Sequence, residues 1–382
     1  MKIRILTFHA VANYGAVLQA YALQEALREL GHDVAFIDYR PPYLTTGGSF
    51  WFPRSKWHLE ANLVIAYKKL MTLKEFQGGM RAQNKRFQEF VDTNLILDGH
   101  RYRSIAELRR KPPEADLYIC GSDQIWNPSK QYGVDPACFL DFGEPGVKKI
   151  SYAASFGKPD VPDRHHAEIA RYIEKLDRIS VREASGVDLV RRLSGQQASL
   201  VPDPTFLIDW SKQKSLAEMH AARDKKQVFF YVLRDGTGIF EAQQKFSQKG
   251  YQVVQPYNPN QRWKAHGAVK AMSPWEWLSE IQQSNFVVTN SFHGTVFSIL
   301  LKKPFLTLQL GGGKSGLNER MKHLLSETKL TGRIMAGQQL TQSDMDKPMA
   351  FDWDQVISDS EKMKNNGLDF LKTSIETDAD ES

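Results

Sequence analysis

The sequence predicts an α/β protein built as two Rossmann-like domains facing across a cleft. Three observations predict it. Strand-length apolar runs alternate with helix-period stripes in two separate series, a long polar stretch divides the series, and polar residues gather where the strands end.

In the first series, residues 3–8 form a short apolar strand. Residues 16–30 then carry apolar positions at Val17, Leu18, Tyr21, Leu23, Leu27 and Leu30, a helix that Gly31 stops. Residues 34–38 return as a second strand. Strand, helix, strand is a βαβ unit, whose crossover is right-handed. Further strands follow at 117–120, 150–154 and 178–181, with a helical stripe at 166–176 before the last. After VPDPTFLIDW comes the polar run SKQKSLAEMHAARDKKQ, read as a connection. The second series has strands at 228–233, 253–255, 286–289 and 305–308, with helices near 240–248, 275–283 and 296–301. Residues 354–375 are helical in pattern, and TDADES is a solvated tail. The domains are therefore placed at 1–207 and 227–350, with a linker over 208–226 and a C-terminal helix and acidic tail over 351–382.

Residues 43–79 break the alternation, being rich in aromatics and in Lys and Arg. The ordinary reading is an excursion packed on the first domain; the other is an amphipathic element lying on a membrane surface near a lipid-linked substrate.

Composition removes several function classes. No run of 18 or more apolar residues is present, so no membrane-spanning helix is expected. MKIRILTFHA meets polar sequence at once and is expected to be a strand, not a leader peptide. Cys120 and Cys138 sit in apolar settings and are expected to be reduced thiols of a cytoplasmic protein. The net charge of +6 is spread along the chain, with no basic and aromatic track for nucleic acid. An enzyme acting on small anions fits this balance better.

In open α/β sheets ligands bind beyond the carboxyl ends of the strands, where helix N-termini offer N–H groups to anions. The first exit, HAVANYGAVLQ, has Asn13 and Gly15 in a tight turn into a helix, and neither a GxGxxG nor a phosphate-loop pattern. ICGSDQIWNP places Gly121, Ser122, Asp123 and Gln124 in a polar turn, with Trp126 available to stack on a sugar ring; Asp123 as a simple helix cap is the competing reading. SYAASFG leaves Ser155 and Gly157 in a loop. ISVREASG sets Arg182 at the mouth of the sheet, where its planar fork suits phosphate or carboxylate; a salt bridge to Glu183 or an aspartate is the alternative. In TNSFHGTVFS, Asn290 and Ser291 cap a helix, Gly294 admits a ligand to the backbone, the N–H groups of Gly294 and Thr295 face an anion, and His293 stands beside it. GGGKSGLNERMKHLL then offers Lys314 and Ser315 in a second anion cradle, or a plain flexible loop.

Taken together, NYGAVLQAYALQEALRELGHDVAFIDYRP, GSDQIWNP, SYAASFG, ISVRE, VPDPTF and TNSFHGTVFSILLKKPF resemble the polysaccharide pyruvyl transferase family, in order over nearly the whole chain. The resemblance implies a GT-B-like pair of domains and transfer of a pyruvyl group from phosphoenolpyruvate to sugar hydroxyls as a ketal, with phosphoenolpyruvate as co-substrate and no metal or cofactor. It implies that Arg182 and His293 hold the donor with Gly294, Thr295, Lys314 and Ser315. Asn13, Tyr14, Asp123, Gln124 and Trp126 fall to the acceptor, a sugar or a lipid-linked glycan of a cell-surface polysaccharide precursor. A cytoplasmic protein with peripheral contact to the inner membrane surface would suit such an acceptor. Two positions depart from other branches of the family, Gly15-Ala16 and Ser291-Phe292-His293, so donor use is expected to be retained while acceptor recognition differs.

The chemistry agrees with these residue types. The donor carries a phosphate and a carboxylate and calls for converging cations and helix N–H groups. Ketal formation needs a proton on the methylene carbon, for which His293 is the candidate acid, unless it acts as a phosphate ligand. Two readings of other classes compete: a GT-B-type nucleotide-sugar glycosyltransferase, and a noncatalytic carbohydrate-binding or scaffold protein. The acceptor sugar, its hydroxyl pair and the oligomeric state are not legible in the chain.

Overall fold

The computed structural model describes residues 1–45, 49–51, 55–74, 79–130, 132–218, 226–233, 239–258, 265–309, 318–335 and 351–376. The chain divides into two compact units: Met1–Arg81, Gln88–Ile208 and Lys364–Ser382 form the first, Ala82–Phe87 and Asp209–Met363 the second.

The first unit is built on a five-stranded parallel sheet in the order β3-β2-β1-β4-β5, with β1 at Lys2–Leu6, β2 at Asp33–Tyr39, β3 at Leu97–Tyr102, β4 at Leu117–Cys120 and β5 at Lys148–Ser151. Ile3 pairs with Val34 on one side and Leu117 on the other, so the central strands are in step and their exits fall in one row. β4 is buried from end to end, as expected of a parallel strand covered on both faces. The helix Tyr14–Glu29 starts where the Asn13 side chain accepts the Ala16 N–H, and Gly31 takes the left-handed turn after it at φ +89°. β3 escapes sequence reading because LDGHRY is an exposed edge strand with no apolar alternation. A small parallel pair, β6 (Ser180–Val181) and β7 (Ser199–Leu200), continues from β5 through the bridges Ile150 to Arg178 and Ala154 to Val181.

The second unit holds a six-stranded parallel sheet in the order β10-β9-β8-β11-β12-β13, with β8 at Gln227–Tyr231, β9 at Gln252–Pro256, β10 at Ala268–Lys270, β11 at Phe286–Thr289, β12 at Phe305–Leu308 and β13 at Ile334–Met335. Its core gathers Val228, Phe230, Phe246, Phe286, Val288 and Leu306. The helix Pro274–Gln283 opens on a full capping box, Ser273 with Glu276.

Three places differ from the sequence expectation. The irregular stretch 43–79 contains the long helix Lys56–Lys74, and a second helix, Gly79–Asn94, follows it. The stretch 208–226, expected as a linker, is not one throughout: Ile208 belongs to the first unit, and from Asp209 the chain is in the second, with Trp210 buried edge-to-face against Phe297 at 4.9 Å. The last helix, Trp353–Glu376, belongs to the second unit up to Met363 and to the first from Lys364. There Asn366 donates to the Leu200 carbonyl at 3.0 Å, Leu371 and Ile375 are buried, and a Cβ on Gly367 would run into the Tyr152 hydroxyl and Leu207.

Among the described residues no helix is long and apolar enough to cross a membrane.

Candidate functional site

The exits of β1, β2, β4, β5 and β6 bring a set of buried polar side chains together in the first unit. Beyond β1, Thr7 donates to the Ser122 carbonyl at 3.2 Å and accepts from Gln19 at 3.0 Å. His9 faces two acceptors, the Thr7 carbonyl at Nδ1 and the Asp38 carboxylate at Nε2, both at 3.1 Å. Asp38 also accepts from Arg40 at 2.5 Å and Arg101 at 2.9 Å. Burial alone would raise the Asp38 carboxyl, but the hydrogen bonds from His9, Arg40 and Arg101 outweigh it and hold it well below the usual carboxylate range.

Beyond β4 the chain turns sharply at Asp123, whose φ of +65° is left-handed, a region where aspartate is among the few tolerated side chains. No helix follows for Asp123 to cap. Its carbonyl accepts from the Ser155 N–H at 3.0 Å, which ties the turn to the β5 exit, and its side chain lies 3.7 Å from Arg182. Gln124 accepts from Asn127 at 2.9 Å and fills the space where a Cβ on Gly157 would sit, so Gly157, at φ +69°, is small for the sake of Gln124.

Arg182 is where sequence and structure part company. Its guanidinium is enclosed and donates to Asp203 at 2.5 Å, with Glu183 at 3.5 Å. Glu183 in turn accepts from Ser155 at 2.5 Å, and Asp203 accepts from Thr205. Burial would lower the Arg182 pKa; the carboxylates of Asp203, Glu183 and Asp123 more than reverse this and raise it. Three carboxylates therefore surround one guanidinium, and Arg182 is engaged by the protein's own acids. The salt-bridge alternative, not the anion grip, describes it.

Trp126 is also corrected. Its indole is 1% exposed, stacked on Phe139 at 5.1 Å and packed against Phe156, and its N–H donates to the Cys138 carbonyl at 3.0 Å. Both ring faces belong to the core, leaving none for a sugar. Tyr14 is buried, whereas Asn13 is exposed at the helix start.

In the second unit, β8, β11 and β12 end side by side. Thr289 donates to the Tyr231 carbonyl at 2.7 Å, Asn290 accepts from the Leu233 N–H at 2.8 Å, and Thr295 shares a hydrogen bond with Thr307 at 2.8 Å. The helix Phe292–Leu300 starts here with Ser291 as its cap, so His293 is in the first helical turn and buried. The Gly294 N–H donates to Ser291 Oγ at 3.3 Å and the Thr295 N–H to the Ser291 carbonyl at 3.0 Å. Those two amides are used by the cap and the helix instead of an anion. Gly294 has no room for a side chain because Thr289 and Tyr231 press on it, so its smallness serves packing, not ligand approach. The structure thus keeps His293, Gly294 and Thr295 on one turn, while Lys314 and Ser315 lie outside the described residues.

Sequence reading missed Arg320. Its guanidinium lies over the Phe292 ring, 5.6 Å from the centroid, which sets a cation beside the residue next to His293. The stretch GLNERMKHLL contains it, but the glycine-rich run before it points to Lys314 instead. His9, Asp38 and Asp203 carry no local signal of their pairing either, although Asp38 lies near the end of β2 and Asp203 sits in VPDPTF.

A family model described as polysaccharide pyruvyl transferase matches residues 13–309. No curated protein matches the sequence. Among solved structures, the UDP-N-acetylglucosamine 2-epimerase of Rickettsia bellii is similar over 99% of this chain and 96% of its own, with 9% identity and a TM-score of 0.51. The UDP-GlcNAc 2-epimerase of Neisseria meningitidis bound to UDP-GlcNAc covers 98% and 100%, with 11% identity and a TM-score of 0.50. Spinosyn rhamnosyltransferase SpnG covers 98% and 99%, with 11% identity and a TM-score of 0.45. The two epimerases share the fold class, a GT-B-like pair of Rossmann-like units.

Proposed function

Because the chain belongs to the polysaccharide pyruvyl transferase family, we propose that it moves a pyruvyl group from phosphoenolpyruvate onto two hydroxyls of a sugar in a glycan, closing a pyruvate ketal. The observation that carries the reading is the span of the family match, which runs from the Asn13 cap to beyond His293 and so takes in Asp123 and Arg182 of the first unit and His293 of the second.

The reaction needs a proton on the methylene carbon of phosphoenolpyruvate, which leaves an electron-poor centre at the adjacent carbon. One sugar hydroxyl adds there, the carbon–oxygen bond to phosphate breaks, and a second hydroxyl closes the ketal. Of the two hydroxyl protons lost, one balances the new methyl group and one leaves with phosphate. His293 is the acid in this scheme, held in the first turn of a helix whose positive end favours the donor's charge. Arg320 supplies the cation beside it, and Lys314 and Ser315 are further donor contacts. Asn290, Ser291, Thr295 and Thr307, beside Arg320 at this edge, bring no negative charge, which suits an anionic donor.

The acid-rich edge of the first unit suits the acceptor. Sugar hydroxyls are neutral donors, and Asp123, oriented by Arg182, accepts from one of them and takes its proton as it attacks. Asn13 and Gln124 flank that role as hydrogen-bonding groups, whereas Arg182 positions Asp123 and does not hold the donor.

The test is incubation with phosphoenolpyruvate, UDP-sugars or GDP-sugars in the presence of a panel of glycosides and lipid-linked glycans. Release of phosphate with a gain of one ketal-linked pyruvate by mass spectrometry supports the proposal. Release of nucleotide from a sugar nucleotide, with phosphoenolpyruvate untouched, replaces it with a glycosyl transfer.

A further inference from the structure

The helix Lys56–Lys74 is apolar on two faces. One face is in the core: Ala61 and Ile65, four residues apart, are fully buried. The other carries Leu59, Leu63, Tyr67 and Leu70, spaced by four, four and three residues and so aligned along one stripe. That stripe faces outward. Leu63 is 73% exposed, and Leu59, Tyr67 and Leu70 are each about half exposed. Phe50, 57% exposed, extends the patch, with the Lys69 ammonium 4.8 Å from its ring centroid. A helix on the surface of a water-soluble unit normally turns polar residues outward, and a contiguous row of large apolar side chains marks a surface that something covers.

The mount of this helix is firm. Asn62 donates to the Trp51 carbonyl and accepts from the Trp51 N–H, both at 2.8 Å. Trp57 packs against Trp51 and lies beneath the Arg164 guanidinium. The exposed stripe is thus presented by residues that are themselves anchored in the first unit.

Charge decides what covers it. The helix sequence holds four lysines against a single acid, Glu60, and of the described side chains Lys56 and Lys69 are exposed. An apolar stripe with lysines around it matches the boundary of a bilayer with anionic headgroups, into which leucines insert while lysines meet phosphates. A second copy of this chain would instead bring those lysines against each other. We propose that this helix seats the protein on an anionic bilayer surface, with Leu59, Leu63, Tyr67 and Leu70 entering the headgroup boundary. The inference does not rest on the reaction proposed above, and it places the first unit where a lipid-linked glycan would be presented.

The experiment is sedimentation of the full chain with vesicles of phosphatidylglycerol and phosphatidylcholine in equal parts, or of phosphatidylcholine alone, with sedimentation velocity run in parallel without lipid. The wild type is expected to pellet with the anionic vesicles and to release as salt is raised. Leu63→Asp is expected to weaken that binding about tenfold or more at an unchanged melting temperature, since the side chain is exposed. The double variant Lys56→Glu, Lys69→Glu is expected to lose the preference for anionic over neutral lipid. Three results would overturn the proposal: a wild type that stays in the supernatant, a Leu63→Asp variant that pellets as well as the wild type, or a wild-type dimer that Leu63→Asp turns into a monomer, which would make a second copy the occupant.

Discussion

The Arg182 guanidinium donates to the Asp203 carboxylate at 2.5 Å, and neither side chain reaches solvent to any useful extent. Breaking a buried ion pair from one side leaves the other charge unpaired, at about 3–5 kcal/mol. Arg182→Lys keeps the charge but not the fork that faces Asp203, Glu183 and Asp123 at once. The expected outcome is a loss of stability toward the lower end of that range, with KM for phosphoenolpyruvate unchanged. A raised KM at a normal melting temperature would return Arg182 to the donor.

His293→Asn tests the proposed acid. Asparagine still donates a hydrogen bond but cannot deliver a proton, so kcat should fall by about 10²–10⁴-fold while folding is retained. If KM rises and kcat holds, His293 is a phosphate ligand; if only the melting temperature falls, it is a core residue.

Arg320→Ala separates binding from chemistry at the same edge. Losing a hydrogen bond to a charged group costs about 1.5–3 kcal/mol, which is roughly ten- to a hundred-fold in affinity. KM for phosphoenolpyruvate should rise by that factor. An unchanged KM would give Arg320 a structural role, its contact with Phe292 included.

Gly294→Ala should be costly whatever the ligand. The added Cβ falls on Thr289 Oγ1 and lies 3.0 Å from the Tyr231 ring. Thr289 cannot swing away without giving up its bond to the Tyr231 carbonyl and the one it accepts from the Ser291 N–H. Overpacking of this kind costs about 1–3 kcal/mol. Thermal melting of the variant checks it, and an unshifted transition would mean that this edge yields more readily than its hydrogen bonds imply.

Asp38 gives a pH signature. Its carboxyl is depressed in the folded protein, so the stabilisation is complete above the ordinary carboxylate value of about 3.9 and drains away as pH falls through it toward the folded value. The melting-temperature advantage of the wild type over Asp38→Asn should therefore be full near pH 7 and shrink below about pH 4. An advantage that persists in acid would detach it from the carboxylate's charge.

Much of this architecture is legible in the chain, for physical reasons that also mark where legibility ends. Fully buried strands such as Leu117–Cys120 and Phe286–Thr289 are uninterrupted apolar runs, and their bounds are read directly. Short edge strands such as Leu97–Tyr102 are polar and half-solvated, so nothing in their composition distinguishes them from loops. At the candidate site the sequence locates the strand exits and the turn holding His293, because small and polar residues after an apolar run are a local signal. It does not reveal that Arg182 is neutralised, since Asp203 lies 21 residues away and meets it only through tertiary structure. It also misplaces Trp126, because the Phe139 and Phe156 rings that enclose it are distant in sequence.

The division of the last helix bears on how the protein is made. The first unit takes residues from Lys364 onward, including buried Leu371 and Ile375, so it lacks part of its own core until those residues have left the ribosome. The second unit, which ends at Met363, has all its residues earlier. Domains usually complete in the order of synthesis; here the unit that holds Met1–Arg81 and Gln88–Ile208 is finished after the second.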